Sequence, residues 1–310
     1  MTVPGAAGAD ALLVIGDVVT DVVARHRAPL ARGTDTAAAI RILPGGAGAN
    51  VACWAARWGC RDVRLLARVG QEEAGWHDAR LRAAGVGPLL VPDAEAPTAT
   101  VIALVDESAE RTFLTDSGAV LRLSPADWSP SLLGGVGHLH LSGYLLFADT
   151  SRQLALLALE SARALGITVS VDPASAGFIS VLGVDRMLAA LSGADILLPN
   201  ADEARLLTGL PDPADAAAKL SRHVPLTVVT LGAGGALVAE SGTVTAHVPS
   251  VPAEAVDSTG AGDAFTGAFL AARLAGADAA TAAAEGCRAG ADAVTLTGGR
   301  PDQRRPPHAG

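Results

Sequence analysis

Asp257-Ser-Thr-Gly-Ala-Gly-Asp263-Ala-Phe-Thr-Gly267 places a glycine-spaced turn directly ahead of a helix. Phe265, Ala268, Phe269, Ala272 and Ala275 recur at three- and four-residue steps, and Gly276 supplies a stop, so the helix starts near Asp263. The backbone amides of Gly260, Ala261, Gly262 and Asp263 then lack partners within the helix and point out of its N-terminus, where the macrodipole favours an anion. Glycines at 260 and 262 let the backbone approach a phosphate closely and permit positive φ. A carboxylate among anion-binding amides repels the ligand those amides attract. Asp263 therefore makes sense as a general base; on spacing alone, a helix cap with no anion explains it equally well.

Three further stretches bear on the choice. Pro44-Gly-Gly-Ala-Gly-Ala-Asn50-Val-Ala is a second glycine turn ahead of a helix, about 210 residues upstream of the first. Leu198-Pro-Asn200-Ala-Asp-Glu203 and Val229-Thr230-Leu-Gly232-Ala-Gly-Gly235 lie between them. Together, in this order, the four motifs resemble those of the ribokinase-like, or PfkB, carbohydrate kinases, and the resemblance runs from about residue 11 to about residue 300.

The resemblance implies an α/β, ribokinase-like three-layer fold, with a mostly parallel central sheet and a small β-sheet lid. It implies ATP-dependent phosphorylation of a hydroxyl on a small sugar or sugar-like alcohol. Asp263 would be the base, and the amides of Gly260, Ala261 and Gly262 would stabilise charge on the transferring group. Thr230, Gly232 and Gly235 would line the nucleotide phosphates, while Asn200 and Glu203 organise Mg²⁺ through water. Local spacing alone reads Asn200 and Glu203 as a capping box. Asp257 matches a position associated with a monovalent cation, with carbonyls around residues 293–298 completing the shell, which makes K⁺ activation an expectation. Asp21 matches the carboxylate that accepts hydrogen bonds from substrate hydroxyls, with Asp17 a weaker candidate. Gly45 and Gly46 would let the backbone touch the sugar, and Asn50 would offer a donor and an acceptor.

Composition narrows the class. At 310 residues with half of them apolar, the chain can bury a large core, yet its apolar runs stay short of the ~20 residues of a membrane span. No basic region precedes an apolar core at the N-terminus, so a secretory signal is not expected. Cys53, Cys60 and Cys287 form neither a CxxC pair nor an even framework, which suits a reducing, cytoplasmic compartment. A net charge of −9 argues against a nucleic-acid surface. Lys219 is the only lysine and no G-x-x-x-x-G-K-[ST] run exists, which excludes a P-loop kinase. A dinucleotide fold fails too: Gly16 is followed by Asp17-Val-Val, and Gly46-Ala-Gly48-Ala-Asn-Val51 has valine where a third glycine belongs.

One kinase domain over residues 1–310 is expected, without repeat or linker. Strands are expected over 11–15, 63–66, 137–142, 167–171, 195–198 and 226–230, with helices over 48–58, 73–84, 151–165, 201–208, 214–222, 263–275 and 278–290. Segments of about 18–44 and 98–116 alternate apolar residues without helical period and read as the lid. In many members of the family such lids pair, so a homodimer through the lid is a further expectation. The proline-rich stretch 299–310 reads as frayed. His138 and His140 share a strand face but have no third metal ligand nearby, and Trp54 and Trp58 read as packing.

Two departures touch the substrate. Ala47 stands where many ribokinases carry lysine, and His140-Leu-Ser-Gly143 lacks their glutamate, which puts ribose itself in doubt. A nucleoside kinase of the same family is the alternative, with Phe113 and Tyr144 the nearby aromatic candidates. A catalytically silent sugar-sensing protein is the alternative from another class. Neither nucleic acid nor membrane is expected as a partner.

Overall fold

The computed structural model describes residues 10–107 and 111–301. In chain order its strands are β1 (Ala11–Ile15), β2 (Val19–His26), β3 (Ala38–Gly45), β4 (Val63–Gly70), β5 (Val86–Asp93), β6 (Ala99–Val105) and β7 (Arg111–Asp116). There follow β8 (Val136–Ser142), β9 (Thr168–Asp172), β10 (Ile196–Leu197), β11 (Leu226–Thr230), β12 (Ala236–Glu240) and β13 (Thr243–Val248). The helices are α1 (Ala47–Arg57), α2 (Ala74–Ala83), α3 (Asp149–Ala164), α4 (Ala176–Leu182), α5 (Val184–Ala190), α6 (Ala201–Thr208), α7 (Pro213–Leu220), α8 (Ala261–Leu274) and α9 (Ala279–Ala293).

Nine strands form the central sheet in the order β13-β12-β11-β10-β9-β8-β1-β4-β5, parallel from β5 to β11 and antiparallel only at the β11-β12-β13 end. The α/β class and the mostly parallel sheet are thus as the motifs imply. Successive residues of β1 enter different cores. Leu13 and Ile15 join residues of α3 to α7 on one face, while Leu12 and Val14 join α1, α8 and α9 on the other. A strand covered on both faces has no polar side, which is why β1 reads as an unbroken apolar run.

The sequence expectation missed β5, β12, β13, α4 and α5. Pro88 and Pro92 obscure β5, and the strand tolerates them because it is an edge. The β12-β13 hairpin closes on Ser241 and Gly242, both with positive φ, a two-residue turn whose twist suits a hairpin. The expected fraying also needs correction: Gly299 and Pro301 are buried, and the rest of that stretch lies outside the described residues.

A second sheet, β3-β2-β6-β7, stands apart from the first. Its register puts Leu43, Asp21, Val101 and Thr115 in one row, and Ile42, Val22, Ile102 and Leu114 in the next, on the opposite face. At its base, Asp93 accepts from Arg68 at 2.8 Å and Arg122 at 2.7 Å, and the Glu95 amide, these two cations and the Ala96 amide hold its carboxyl far below the usual range.

The contact that positions the site is between α1 and α8. A side chain at Gly267 would come within 2.5 Å of the Val51 carbonyl oxygen, so the two helices touch through backbone. Gly267→Ala is therefore expected to lower stability by about 1–3 kcal/mol through overpacking. Gly75→Ala, at an exposed helical position with nothing within 4 Å, should be neutral or stabilising. Denaturant midpoints of the two variants check this; equal midpoints would mean the helices can part freely.

Candidate active site

A cavity of about 340 Å³ opens at the carboxyl ends of the parallel strands, between the central sheet and the site-facing row of the smaller one. Crevices of open α/β sheets bind ligands at this end. Five of these strands deliver a residue to it: Asp17 follows β1, Tyr144 follows β8, Asp172 ends β9, Asn200 follows β10 and Thr230 ends β11.

Two helix N-termini meet at the cavity and are treated differently. Asp17 accepts from the Ala47 amide at 2.7 Å, the Gly48 amide at 3.0 Å and the Ser142 hydroxyl at 2.9 Å, so it fills the N-terminus of α1. Gly46 at φ 98° makes this turn, and a side chain there would strike the Asp17 carbonyl. Asp17 is buried and committed to the turn, although it still borders the cavity. By contrast α8 begins after Gly260 at φ 74° with no side-chain cap. The Gly262 and Asp263 amides make no hydrogen bond among the described residues. Gly262 is exposed and has open space beside it. Only Gly260 takes the positive φ expected of both glycines, and the helix starts at Ala261, two residues early.

Asp263 sits in the first turn of α8 and accepts from Asn50 Nδ2 at 2.8 Å. Burial raises its pKa to about 8, the Asn50 hydrogen bond opposes the rise, and Asp172, Asp17 and Asp21 add to it. Asn50, expected to face the substrate with both groups, gives its amide nitrogen to Asp263; its buried Oδ1 has no partner. Asp21 lies on β2 over Gly45, whose missing side chain leaves room for the carboxylate. Burial lifts Asp21 to about 6, with Arg300 pulling the other way.

Asn200 and Glu203 make a complete capping box: the Asn200 backbone and side-chain amides each donate to one Glu203 oxygen, at 2.9 and 2.7 Å. Glu203 nevertheless borders the cavity. Asp172, which the sequence reading missed, borders the same space; burial raises both carboxyls, with Asp172 adding to the rise of Glu203 and Asp17 to that of Asp172. The available signal was an acid at the end of a parallel strand, Val171-Asp172-Pro173. No three His, Cys, Asp or Glu side chains among the described residues are placed to ligate a metal directly.

Other candidates build the walls without lining the cavity. Gly232 and Gly235 shape the turn between β11 and β12, where a side chain at 235 would strike the Val248 carbonyl. Asp257 accepts from the Thr259 amide at 2.8 Å and the Gly298 amide at 3.1 Å, tying the α8 turn to residues 294–298. His138 and His140 share the Ser170 hydroxyl, at 2.7 and 2.8 Å, and burial keeps both neutral, as a strand-to-strand clamp. Trp54 is buried and donates to the Gly299 carbonyl. Phe113 is 54% exposed and outside the cavity, whereas Phe147 and Phe178, both unanticipated, join Tyr144 in its wall. Arg300, also unanticipated, donates to the Gly45 carbonyl at 2.9 Å.

The match to known proteins is extensive. The model of the pfkB family carbohydrate kinases matches residues 9–305. A fructokinase of Klebsiella pneumoniae is 34% identical over 271 residues, covering 83% of this chain and 82% of the relative. An Escherichia coli protein assigned as a ribokinase II, solved with ATP and Mg²⁺, superposes with a TM-score of 0.81 at 27% identity, covering 93% of this chain and 94% of that one. Aminoimidazole riboside kinase of Salmonella enterica, solved with aminoimidazole riboside and an ATP analogue, gives 0.78 at 27% identity, over 96% and 97%. Carrying both glycine turns, the Asn200–Glu203 element and this fold over nearly its whole length, the chain belongs to the pfkB family of carbohydrate kinases.

Proposed function

We propose that this chain transfers the γ-phosphoryl group of ATP to a hydroxyl of a small sugar-like alcohol, with Asp263 as general base. The observation that carries the reading is the uncapped N-terminus of α8 opening on the cavity with Asp263 beside it. Its free amides suit the charge that develops on a transferring phosphoryl group. An aspartate whose carboxyl is raised by burial suits a proton acceptor near neutral pH. Asp21, at the smaller-sheet side of the same cavity, would accept hydrogen bonds from substrate hydroxyls, and that sheet would act as the lid. Open amides and a reachable Asp263 argue against a silent sugar sensor.

A divalent cation fits the donor set. Asp172 and Glu203 have raised pKa values and no cationic side chain lines the cavity among the described residues, so a hard cation relieves the repulsion that Asp172 exerts on Glu203. Asp172, Glu203 and Asn200 would hold Mg²⁺ through water, and Mg²⁺ there would offset charge on the nucleotide phosphates. Asp257 and the 294–298 loop would hold a monovalent cation behind the amide turn. The outward face of the lid exposes Ile40 (64%), Ile42 (63%) and Leu114 (55%), an apolar surface suited to a second copy. No helix among the described residues is long and apolar enough to cross a membrane.

Asp263→Asn is expected to keep nucleotide affinity and to lower kcat about 10²–10⁴-fold. Asp21→Ala should instead raise the sugar KM far more than the ATP KM, each lost charge-assisted hydrogen bond being worth ~1.5–3 kcal/mol. Steady-state kinetics decide both. Turnover of Asp263→Asn within a few-fold of the parent removes the base, and an unchanged sugar KM with a raised ATP KM in Asp21→Ala reverses the two ends of the cleft.

Turnover should vanish with a chelator, return with Mg²⁺, and demand more Mg²⁺ in Glu203→Gln. A lowered melting temperature with the parent's Mg²⁺ requirement would leave Glu203 as a helix cap alone. Replacing K⁺ with tetramethylammonium in the same titration tests Asp257: undiminished activity ends the monovalent-cation proposal.

The molecular mass in solution should be that of a dimer, reduced to a monomer by Ile42→Asp. A monomeric parent, or a dimer indifferent to Ile42→Asp, excludes the outward lid face as the interface.

A further inference from the structure

Beside its acids the cavity has a second set of lining residues with a different chemistry. Val19, Ala99 and Val101 of the smaller sheet face Val120 and Leu121, and the end wall is Tyr144, Phe147 and Phe178. The chain has one tyrosine and five phenylalanines in all, so half of these rings meet at this wall. Ring centroids lie 5.4 Å apart for Tyr144 and Phe178, at 82°, and 4.8 Å apart for Phe147 and Phe178, at 37°. Each ring is only half-buried, unlike a core aromatic such as Phe269, and keeps a surface toward the cavity.

The backbone is bent to present them. Ala174, which also lines the cavity, has φ 79°, a region that non-glycine residues rarely occupy and that clusters at ligand sites. Its amide donates to Asp172 Oδ1 at 2.8 Å, and the turn so made starts α4 with Phe178 over the opening. Gly143 allows β8 to close against β9 there, since a side chain would strike the Asp172 carbonyl, and Tyr144 follows directly.

Charge restricts what can sit in this space. No lysine, arginine or histidine is among the lining residues, whereas Asp17, Asp21, Asp116, Asp172, Glu203 and Asp263 all are. A phosphorylated sugar or a sugar acid would bring a further anion, beyond the nucleotide phosphates, to a space lined by six acidic side chains and no cationic one. A free sugar fits poorly for another reason: hydroxyls pointing at the aromatic wall would lose water and gain few partners. Tyr144 Oη, which makes no hydrogen bond among the described residues, is the one polar group that the wall offers.

We propose that the acceptor is an uncharged glycoside of nucleoside type: its sugar hydroxyls read by Asp21, and a flat aromatic ring on its anomeric carbon seated on the Tyr144–Phe147–Phe178 wall. This deepens the phosphotransfer reading and rests on it. Rings stack on aromatic faces with little demand on sequence or substituent, so the wall selects the ring and the acids select the sugar.

The full-length protein with MgATP, assayed by ADP release, is offered purine and pyrimidine ribosides, free ribose and fructose, their phosphates, a sugar acid and an amino sugar. The expected result is a kcat/KM for at least one riboside about tenfold or more above that for every other class. Phe178→Leu, which keeps bulk and removes the ring, should cut the riboside-over-free-sugar ratio about tenfold. Phe147→Leu serves as the second variant, with melting temperatures confirming that both fold. A free, phosphorylated, carboxylated or amino sugar as the best acceptor, or a ratio unmoved in both variants, overturns the proposal while leaving the kinase reading intact. Calorimetric riboside binding that weakens in Phe178→Leu, with no ADP formed from any acceptor, would support the aromatic subsite and sink the phosphotransfer reading instead.

Discussion

Two helices more than two hundred residues apart in sequence begin at one point, and the site exists because they do. The contact between α1 and α8 is closed to within backbone distance at Gly267, which sets the two N-termini side by side at the carboxyl end of the sheet. Their positive ends would then repel each other and attract any nearby anion. The chain satisfies one of them internally, with Asp17 on the Ala47 and Gly48 amides, and leaves the other open. The Asn50–Asp263 hydrogen bond joins the first turn of α1 to the first turn of α8, so the proposed base is oriented by the substrate-side motif.

That arrangement carries an electrostatic cost. Asp21, Asp172, Glu203 and Asp263 all have pKa values raised above the ordinary carboxylate range, in every case with burial as the first cause. The folded state thus holds these protons more tightly than the unfolded chain. Their contribution to stability is greatest at low pH and declines as pH rises from the ordinary carboxyl range through the raised values. A protein at neutral pH carries the strain of several partly ionised acids around one cavity, and a bound cation reduces it. Asp93 behaves in the opposite sense: the Glu95 amide, two arginines and the Ala96 amide favour its charged form, and its contribution is lost as pH falls below the ordinary carboxyl range. Stabilising ion pairs sit under the smaller sheet, and unpaired acids sit where ligands would go.

The motifs made much of this legible, because glycine turns, helix starts and acid positions are local features of a chain. Asp263 beside its open amides and the Asn200–Glu203 cap could be read from spacing of three or four residues. What escaped was of two kinds. Strands β5 and β12–β13 depend on being edges or a hairpin, which tolerate prolines and short segments that weaken the pattern. Asp172, Arg300 and the aromatic wall are brought to the site only by tertiary folding, from a strand end, the chain's last described residues, the turn after β8 and helix α4, which share no motif. Phe113 was drawn in by proximity to the alternating segment, yet register places it farther out along β7 than Thr115, which does reach the cavity.

Residues 298–300 show why local reading stops where it does. Gly298 donates to Asp257, the Gly299 carbonyl accepts from Trp54, and Gly299 fits between Asn50 and Gly260 with no room for a side chain. Arg300 then reaches the Gly45 carbonyl, while its Nε and Nη1 are buried without partners. A buried guanidinium with unused donors is costly in isolation. Here its charge faces Asp21 and Asp17, whose carboxylates favour it, and it opposes the rise in the Asp21 pKa that burial imposes. One short strap therefore touches both glycine turns and biases the ionisation of the residue that would read the sugar. Nothing in Thr297-Gly-Gly-Arg300 signals this, because each of its contacts is made with a segment far away in the chain.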